Sequence, residues 1–203
     1  MSEPKSIPYM TAQEYLEFEE TASIRHEYVH GKVFSMTGAT AAHNLICGNL
    51  FALLHAYLSG TGCRVFMVDM KVRVEAADCF YYPDIMVTCE PFDGKSVYKS
   101  LPRLIIEVLS PSTRQIDRRE KLVAYQQIST LRQYVLVHQN NQRVEVHRMK
   151  ADDQWEFFIL GKDDQLVLEA LHDSSLTLPV SAVYEGVVLP SVIEESEEDY
   201  MIV

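Results

Sequence analysis

Between Leu104 and Leu109 the chain reads Leu-Ile-Ile-Glu-Val-Leu, an apolar run suited to the centre of a buried sheet that carries a carboxylate in its middle. Burying that carboxylate costs a large desolvation free energy unless the group is paired or binds a cation. The same conflict recurs in Tyr81-Tyr-Pro-Asp-Ile-Met-Val87, where Asp84 is the acid. If the two strands are neighbours, Asp84 and Glu107 project from one face near the strand ends. Two or three hard oxygens at one point suit Mg²⁺ or Mn²⁺, and a water held there can attack phosphorus in line. The plainer alternative pairs each acid with an arginine such as Arg103, or turns it to solvent. Lys121 follows Glu107 by fourteen residues, after the polar turn Ser110-Pro-Ser-Thr113 and the helix opening Asp117-Arg-Arg-Glu-Lys121. A turn and a first helical stretch can return its ammonium to the strand, where it would orient a water or stabilise developing charge.

The elements around this strand follow from spacing. Thr11-Ala-Gln-Glu14 fits a capping box for a short helix with Tyr15, Leu16 and Phe18 as its apolar residues. His26 to Met36 reads as two strands turning at His30-Gly31. From Ala41 to Leu58, Leu45, Ile46, Leu50, Leu53, Leu54, Tyr57 and Leu58 recur at helical spacing, ended by Ser59-Gly60-Thr61-Gly62. Strands are predicted at about 64–74 (with an interruption allowed), about 80–88 and 103–109, then a helix over 117–128. Strands at 133–138 and 143–149 follow, with further short ones after Trp155. Helix, strands, helix, strands points to an α/β (α+β) sandwich around a mixed sheet, with extra strands at both ends, rather than a doubly wound parallel fold.

At 203 residues, 47% hydrophobic and 23% charged, the chain has enough apolar surface for a core, which excludes wholesale disorder. We expect one domain over residues 1–190 and an acidic, flexible tail over 191–203. No apolar run reaches the roughly 20 residues needed to span a bilayer, and the N-terminus has no signal-peptide core; a soluble, cytoplasmic protein is expected. Cys47, Cys63, Cys79 and Cys89 form no C-x-x-C pair and read as reduced packing thiols. The net charge of −11 argues against a nucleic-acid partner until its distribution is seen. Residues 1–150 are close to neutral, whereas residues 151–203 hold Lys162 as their one basic residue against 13 acids, including Glu194, Glu195, Glu197, Glu198 and Asp199. The first 150 residues can therefore still present a local basic patch to a phosphate backbone.

Pro83-Asp84, Glu107-Val-Leu-Ser-Pro-Ser-Thr113, Asp117, Lys121 and Tyr125 resemble the Uma-two family of restriction endonucleases, within the PD-(D/E)XK nuclease superfamily. The resemblance extends to Arg25-His-Glu27 with His30-Gly-Lys-Val33, to His43, and to Ser175-Leu-Thr-Leu-Pro with Val183-Tyr-Glu-Gly-Val187. It implies a restriction-endonuclease-like core and Mg²⁺-dependent phosphodiester hydrolysis. Under it, Asp84 matches the motif aspartate, Glu107 the second acid, and the Val108 carbonyl a further metal ligand. Glu27 would complete the oxygen shell or bind its water, and His43 would contact phosphate or a metal-held water. The lysine of D/E-x-K is missing, because Leu109 stands in its place. Either Lys121 has taken over from the adjacent helix, or catalysis is lost.

The reading is thus an endonuclease, DNA its expected substrate, with Asp84 and Glu107 on the metal and Lys121 at the water. Lys99, Arg103, Arg114, Arg118 and Arg119 cluster around the site strand and helix as candidate phosphate contacts. A homodimer is expected by analogy with nucleases that cut both strands. Two rivals stay open: a non-catalytic binding module that kept the fold, favoured by Leu109 and the acidic last quarter, and a metal-dependent hydrolase with another substrate. The chain carries no G-x-S-x-G elbow and no phosphate-binding G-x-x-x-x-G-K-[ST] loop, which argues against serine-nucleophile and NTP chemistry.

Overall fold

The computed structural model describes residues 9–36, 38–110, 114–171 and 174–190. The expected tail and most of the turn after Ser110 lie outside them.

Helix α1 (Ala12–Thr21) starts at the anticipated capping box: the Glu14 amide donates to Thr11 Oγ1, and the Glu14 carboxylate accepts from the Thr11 amide at 2.7 Å. Its inner face sets Tyr15 against Tyr28 and Phe80. Strands β1 (His26–Val29) and β2 (Lys32–Ser35) form the expected hairpin. Its turn needs positive φ at His30 and Gly31, and the Tyr9 ring lies where a Cβ on Gly31 would stand. Helix α2 (Ala41–Leu58) has the predicted limits, with Thr40 as N-cap.

The strand expected at 64–74 has the interruption allowed for it, and the one expected at 80–88 is broken in two, a correction to its reading as a single strand. They yield β3 (Arg64–Met67), β4 (Lys71–Val74), β5 (Cys79–Tyr81) and β6 (Ile85–Thr88). Apolar character on both sides hid the second break, which falls at Tyr82-Pro83-Asp84, where proline has no N–H to give to a ladder. After β7 (Tyr98–Lys99) comes β8 (Pro102–Leu109). The predicted helix begins earlier, at Arg114, and is irregular: α3 (Arg114–Ile116), a π-helical turn (Asp117–Lys121), then α4 (Leu122–Tyr125). Strands β9 (Gln133–His138), β10 (Val144–Met149), β11 (Trp155–Leu160), β12 (Gln165–Leu171), β13 (Ser174–Pro179) and helix α5 (Val180–Val183) complete the order.

These strands make a six-stranded sheet, β11-β10-β9-β8-β6-β3, a five-stranded sheet, β2-β1-β5-β4-β7, and the hairpin β12-β13. Each larger sheet is mixed, with one parallel pair, β8·β9 or β4·β7. Strand β8 is central, and its alternation serves two cores. Leu104, Ile106 and Val108 pack with Ile46, Leu50 and Leu54 of α2. Ile105 and Leu109 pack with Ala124 and Tyr125 and with Val72 and Val74 of the other sheet. Glu107 alternates with the second set and so faces the helix that bears Lys121.

The expectation of four reduced cysteines is corrected in part. Cys47 and Cys79 are free and buried, but Cys63 and Cys89 are disulfide-bonded. The β3–β6 register opposes Arg64 to Thr88, which brings the flanking cysteines together across the pair. Among the described residues, no helix is long and apolar enough to cross a membrane.

Candidate active site

The β6–β8 register pairs Ile85 with Ile106, and continuing it by one residue sets Asp84 across from Glu107. Opposed residues of an antiparallel pair share a face, so the two acids expected to converge do so. They are also interlocked through the backbone: the Asp84 amide donates to Glu107 Oε2 at 3.3 Å, and the Val108 amide donates to Asp84 Oδ2 at 2.7 Å. In an extended strand the N–H and C=O of one residue leave the same edge, so the Val108 carbonyl faces the Asp84 side. His43, in the first turn of α2, brings Nε2 to 3.1 Å from the same Asp84 Oδ2.

Lys121 is buried, with its ammonium 2.9 Å from Glu27, 3.2 Å from Glu107 and 3.3 Å from Asp117. The π turn places Asp117 and Lys121 together on the inner side of the helix, and such turns recur at functional sites. Glu27 comes from the other sheet, through β1, and is tied to the crossover by the Tyr82 amide. Burial would lower the Lys121 pKa, but Glu107, Glu27 and Asp117 together outweigh it and hold the ammonium well above its ordinary range. Glu107 is displaced the other way. Burial pushes its carboxyl well above the usual range, Lys121 opposes that, and Asp117, Asp84 and Glu27 add to it. Tyr125 donates its hydroxyl to Glu107 Oε1 at 3.1 Å, and an edge-to-face run of Tyr81, Tyr125 and Tyr134 floors the site.

Four carboxylates therefore surround one lysine and one histidine. Glu107 Oε1 is occupied by Lys121 and Tyr125, while Asp84 Oδ1 makes no bond among the described residues. Asp117 Oδ1 is buried within ion-pair distance of Lys121 yet has no hydrogen-bond partner. Surplus negative charge, an orphaned buried oxygen and open carboxylate oxygens together fit a hard divalent cation.

The cationic candidates separate. Lys99 is buried with its ammonium over the Phe66 ring, and that burial takes it out of phosphate reach. Arg103 is half-buried at the opposite end of β8, about 13 Å along the strand from Glu107. Arg118 is engaged by Glu145, at 2.6 Å. Arg114 is half-buried and Arg119 exposed on the helix that enters the site. Sequence reasoning did not select Asp117, Tyr125 or Cys47 as site members. The i, i+4 spacing of Asp117 and Lys121 was a usable signal, and His43 and Cys47 share that spacing on α2.

The Uma2 family, described as "Putative restriction endonuclease", matches residues 12–181. The chain belongs to this family. Two relatives from Synechocystis, both described only as uncharacterized proteins, extend the comparison. One, slr1290, is 31% identical over 89% of this chain and 94% of its own length; the other, sll1609, is 34% identical over 72% and 84%. Among solved structures, one described as "a putative nuclease belonging to DUF820" from Anabaena variabilis superposes with a TM-score of 0.74 at 18% identity. It covers 88% of this chain and 99% of that one, which establishes that the two share a fold.

Proposed function

We propose that this Uma2 protein is a metal-dependent endonuclease, acting in the cytoplasm, that hydrolyses phosphodiester bonds in nucleic acid, with DNA as the first substrate to test. The observation that carries the reading is the interlock of Asp84, just before β6, with Glu107 on β8, beside a lysine held by Glu107, Glu27 and Asp117. Asp84, Glu107 and the Val108 carbonyl would hold Mg²⁺ or Mn²⁺, with Glu27 near enough to accept from its waters. The bound ion would supply activation of a water and neutralisation of charge on the phosphorane.

The chain's own groups do the rest. Tyr125 fixes the rotamer of Glu107 by donating to Oε1, and His43 does the same for Asp84 from α2. Lys121, kept protonated by its three acids, orients the attacking water and supplies positive charge as the phosphorus becomes five-coordinate. Its position answers the gap at Leu109, because its ammonium reaches Glu107 directly. Arg114 and Arg119 line the approach for backbone phosphates. A symmetric dimer would set one such site on each strand of a duplex, and sedimentation tests that assembly.

Calorimetric titration of Mn²⁺, followed by cleavage of plasmid DNA and of RNA, tests the reading. Saturable binding lost in both Asp84→Asn and Glu107→Gln, with cleavage lost alongside, is expected. Binding indifferent to both changes would overturn it. Mn²⁺ binding without cleavage of either polymer would favour the binding-module reading, for which the buried Leu109 in the motif position is the specific observation.

A further inference from the structure

On α2, one turn after His43, stands Cys47, whose sulfur lies 3.6 Å from His43 Nδ1. A thiol serves no purpose in a hard-oxygen site for Mg²⁺, and Cys47 is free rather than disulfide-bonded. The donor atoms of His43, Cys47 and Asp84 all lie within 4.8 Å of one another. Imidazole, thiolate and carboxylate are the ligand types that Zn²⁺ takes. In a tetrahedral site such donors stand about 3.3–3.6 Å apart; Cys47 now meets Nδ1 and Asp84 meets Nε2, so closing the trio on one ring nitrogen asks for a movement of ~1 Å. Two ligands one helical turn apart give a rigid base, and the third arrives from the crossover before β6. Access is from the side of His43 and Asp84, whose side chains are 15% and 22% exposed, while Cys47 forms the inner wall.

We propose that His43, Cys47 and Asp84 form a second cation site, selective for a thiophilic divalent ion of the Zn²⁺ class, which competes with the hard-oxygen site for Asp84. Three protein ligands leave a fourth position for water or a phosphate oxygen. On binding, the Cys47 S–H bond is replaced by a sulfur–metal bond and the proton passes to solvent. Micromolar Zn²⁺ would then inhibit by withdrawing Asp84 from Glu107. The competition rests on the proposed role of Asp84; the His43–Cys47 ligand pair does not.

The test uses the full chain with Co²⁺ as a spectroscopic substitute for Zn²⁺. A near-ultraviolet sulfur-to-cobalt charge-transfer band is expected, saturating at one equivalent and bleached by Zn²⁺. Cys47→Ser should abolish the band, with circular dichroism checking that the variant folds; Cys79→Ser and Glu107→Gln should keep it. No band in the parent protein, a band surviving in Cys47→Ser, or one lost in Cys79→Ser would overturn the site. A band unchanged by both Asp84→Asn and saturating Mn²⁺ would overturn the sharing of Asp84. Failure of the nuclease reading looks different: the Mn²⁺ heat is then indifferent to Asp84→Asn and Glu107→Gln, while the cobalt band still depends on Cys47.

Discussion

At Lys121 two opposing effects meet, burial favouring the neutral amine and three carboxylates favouring the ammonium, and the carboxylates win. Removing the charge while keeping the volume, as in Lys121→Met, strands Glu27, Glu107 and Asp117 beside one another. Loss of one partner from a buried ionic cluster costs about 3–5 kcal/mol, and urea unfolding at neutral pH should show a loss of that size. Because a cation can take over part of the ammonium's role, millimolar Mn²⁺ should raise the stability of Lys121→Met more than that of the parent. Leu109→Lys, which restores the motif lysine on paper, should fail. Leu109 packs against Ala124 and Tyr125 in the core, so a second ammonium there has to be desolvated while Lys121 already holds the acids. We expect loss of stability and no gain in cleavage, read by thermal unfolding beside a plasmid assay. Asp84 and Glu107 were legible in the sequence because a carboxylate in an apolar run is physically incongruous. Asp117 entered only through the family resemblance and without a role, since by charge alone an acid among Arg118, Arg119, Glu120 and Lys121 looks like a solvated helix face. Cys47 was hidden for the opposite reason: a small sulfur among apolar helix residues is what a core ordinarily contains.

Among the elements, the β9–β10 pair and the π turn are joined by Glu145, which accepts from His138 at 2.7 Å and from Nε and Nη2 of Arg118. Burial opposes its ionisation, but the bonds from His138 and Arg118 prevail and lower its carboxyl to about 2 from an ordinary 4.5. A depressed carboxyl stabilises the fold fully above its unfolded value and loses that contribution as pH falls through its folded one. Glu145→Gln should therefore cost up to about 3 kcal/mol at neutral pH, and the gap from the parent should close between roughly pH 4.5 and 2. Denaturation curves across that range check it; a gap that stays constant with pH would show packing rather than charge at work. Elements with strong local signals were the legible ones: α2 through its repeating leucines and β8 through its apolar run. The split of residues 79–88 between two sheets could not be read, because Phe80, Tyr81, Ile85, Met86 and Val87 are buried on either side of the break and differ only in which neighbours bury them.

Taken whole, the molecule carries a net charge of −11 yet is close to neutral before residue 150. A phosphate polymer approaching the α3–α4 helix meets Arg114 and Arg119 against a general repulsion. Binding to DNA should therefore weaken with salt only as two phosphate contacts require, with a slope of roughly −2 in log K against log salt. Removing the acidic run from Glu194 to Asp199 should strengthen it most at low ionic strength, where repulsion is least screened. Fluorescence anisotropy over a salt series measures both effects, and equal affinities with and without the run at low salt would refute the second. The crossover at Tyr82-Pro83-Asp84 has a consequence of another kind. Tyr81 belongs to the sheet that carries Glu27, and Ile85 to the sheet that carries Glu107, so the chain leaves no slack between them. A twist of one sheet against the other is at once a change in how many oxygens can meet at a point. Under the proposed function, the molecule's stiffness and its grip on a cation would be one mechanical property, sampled at two places.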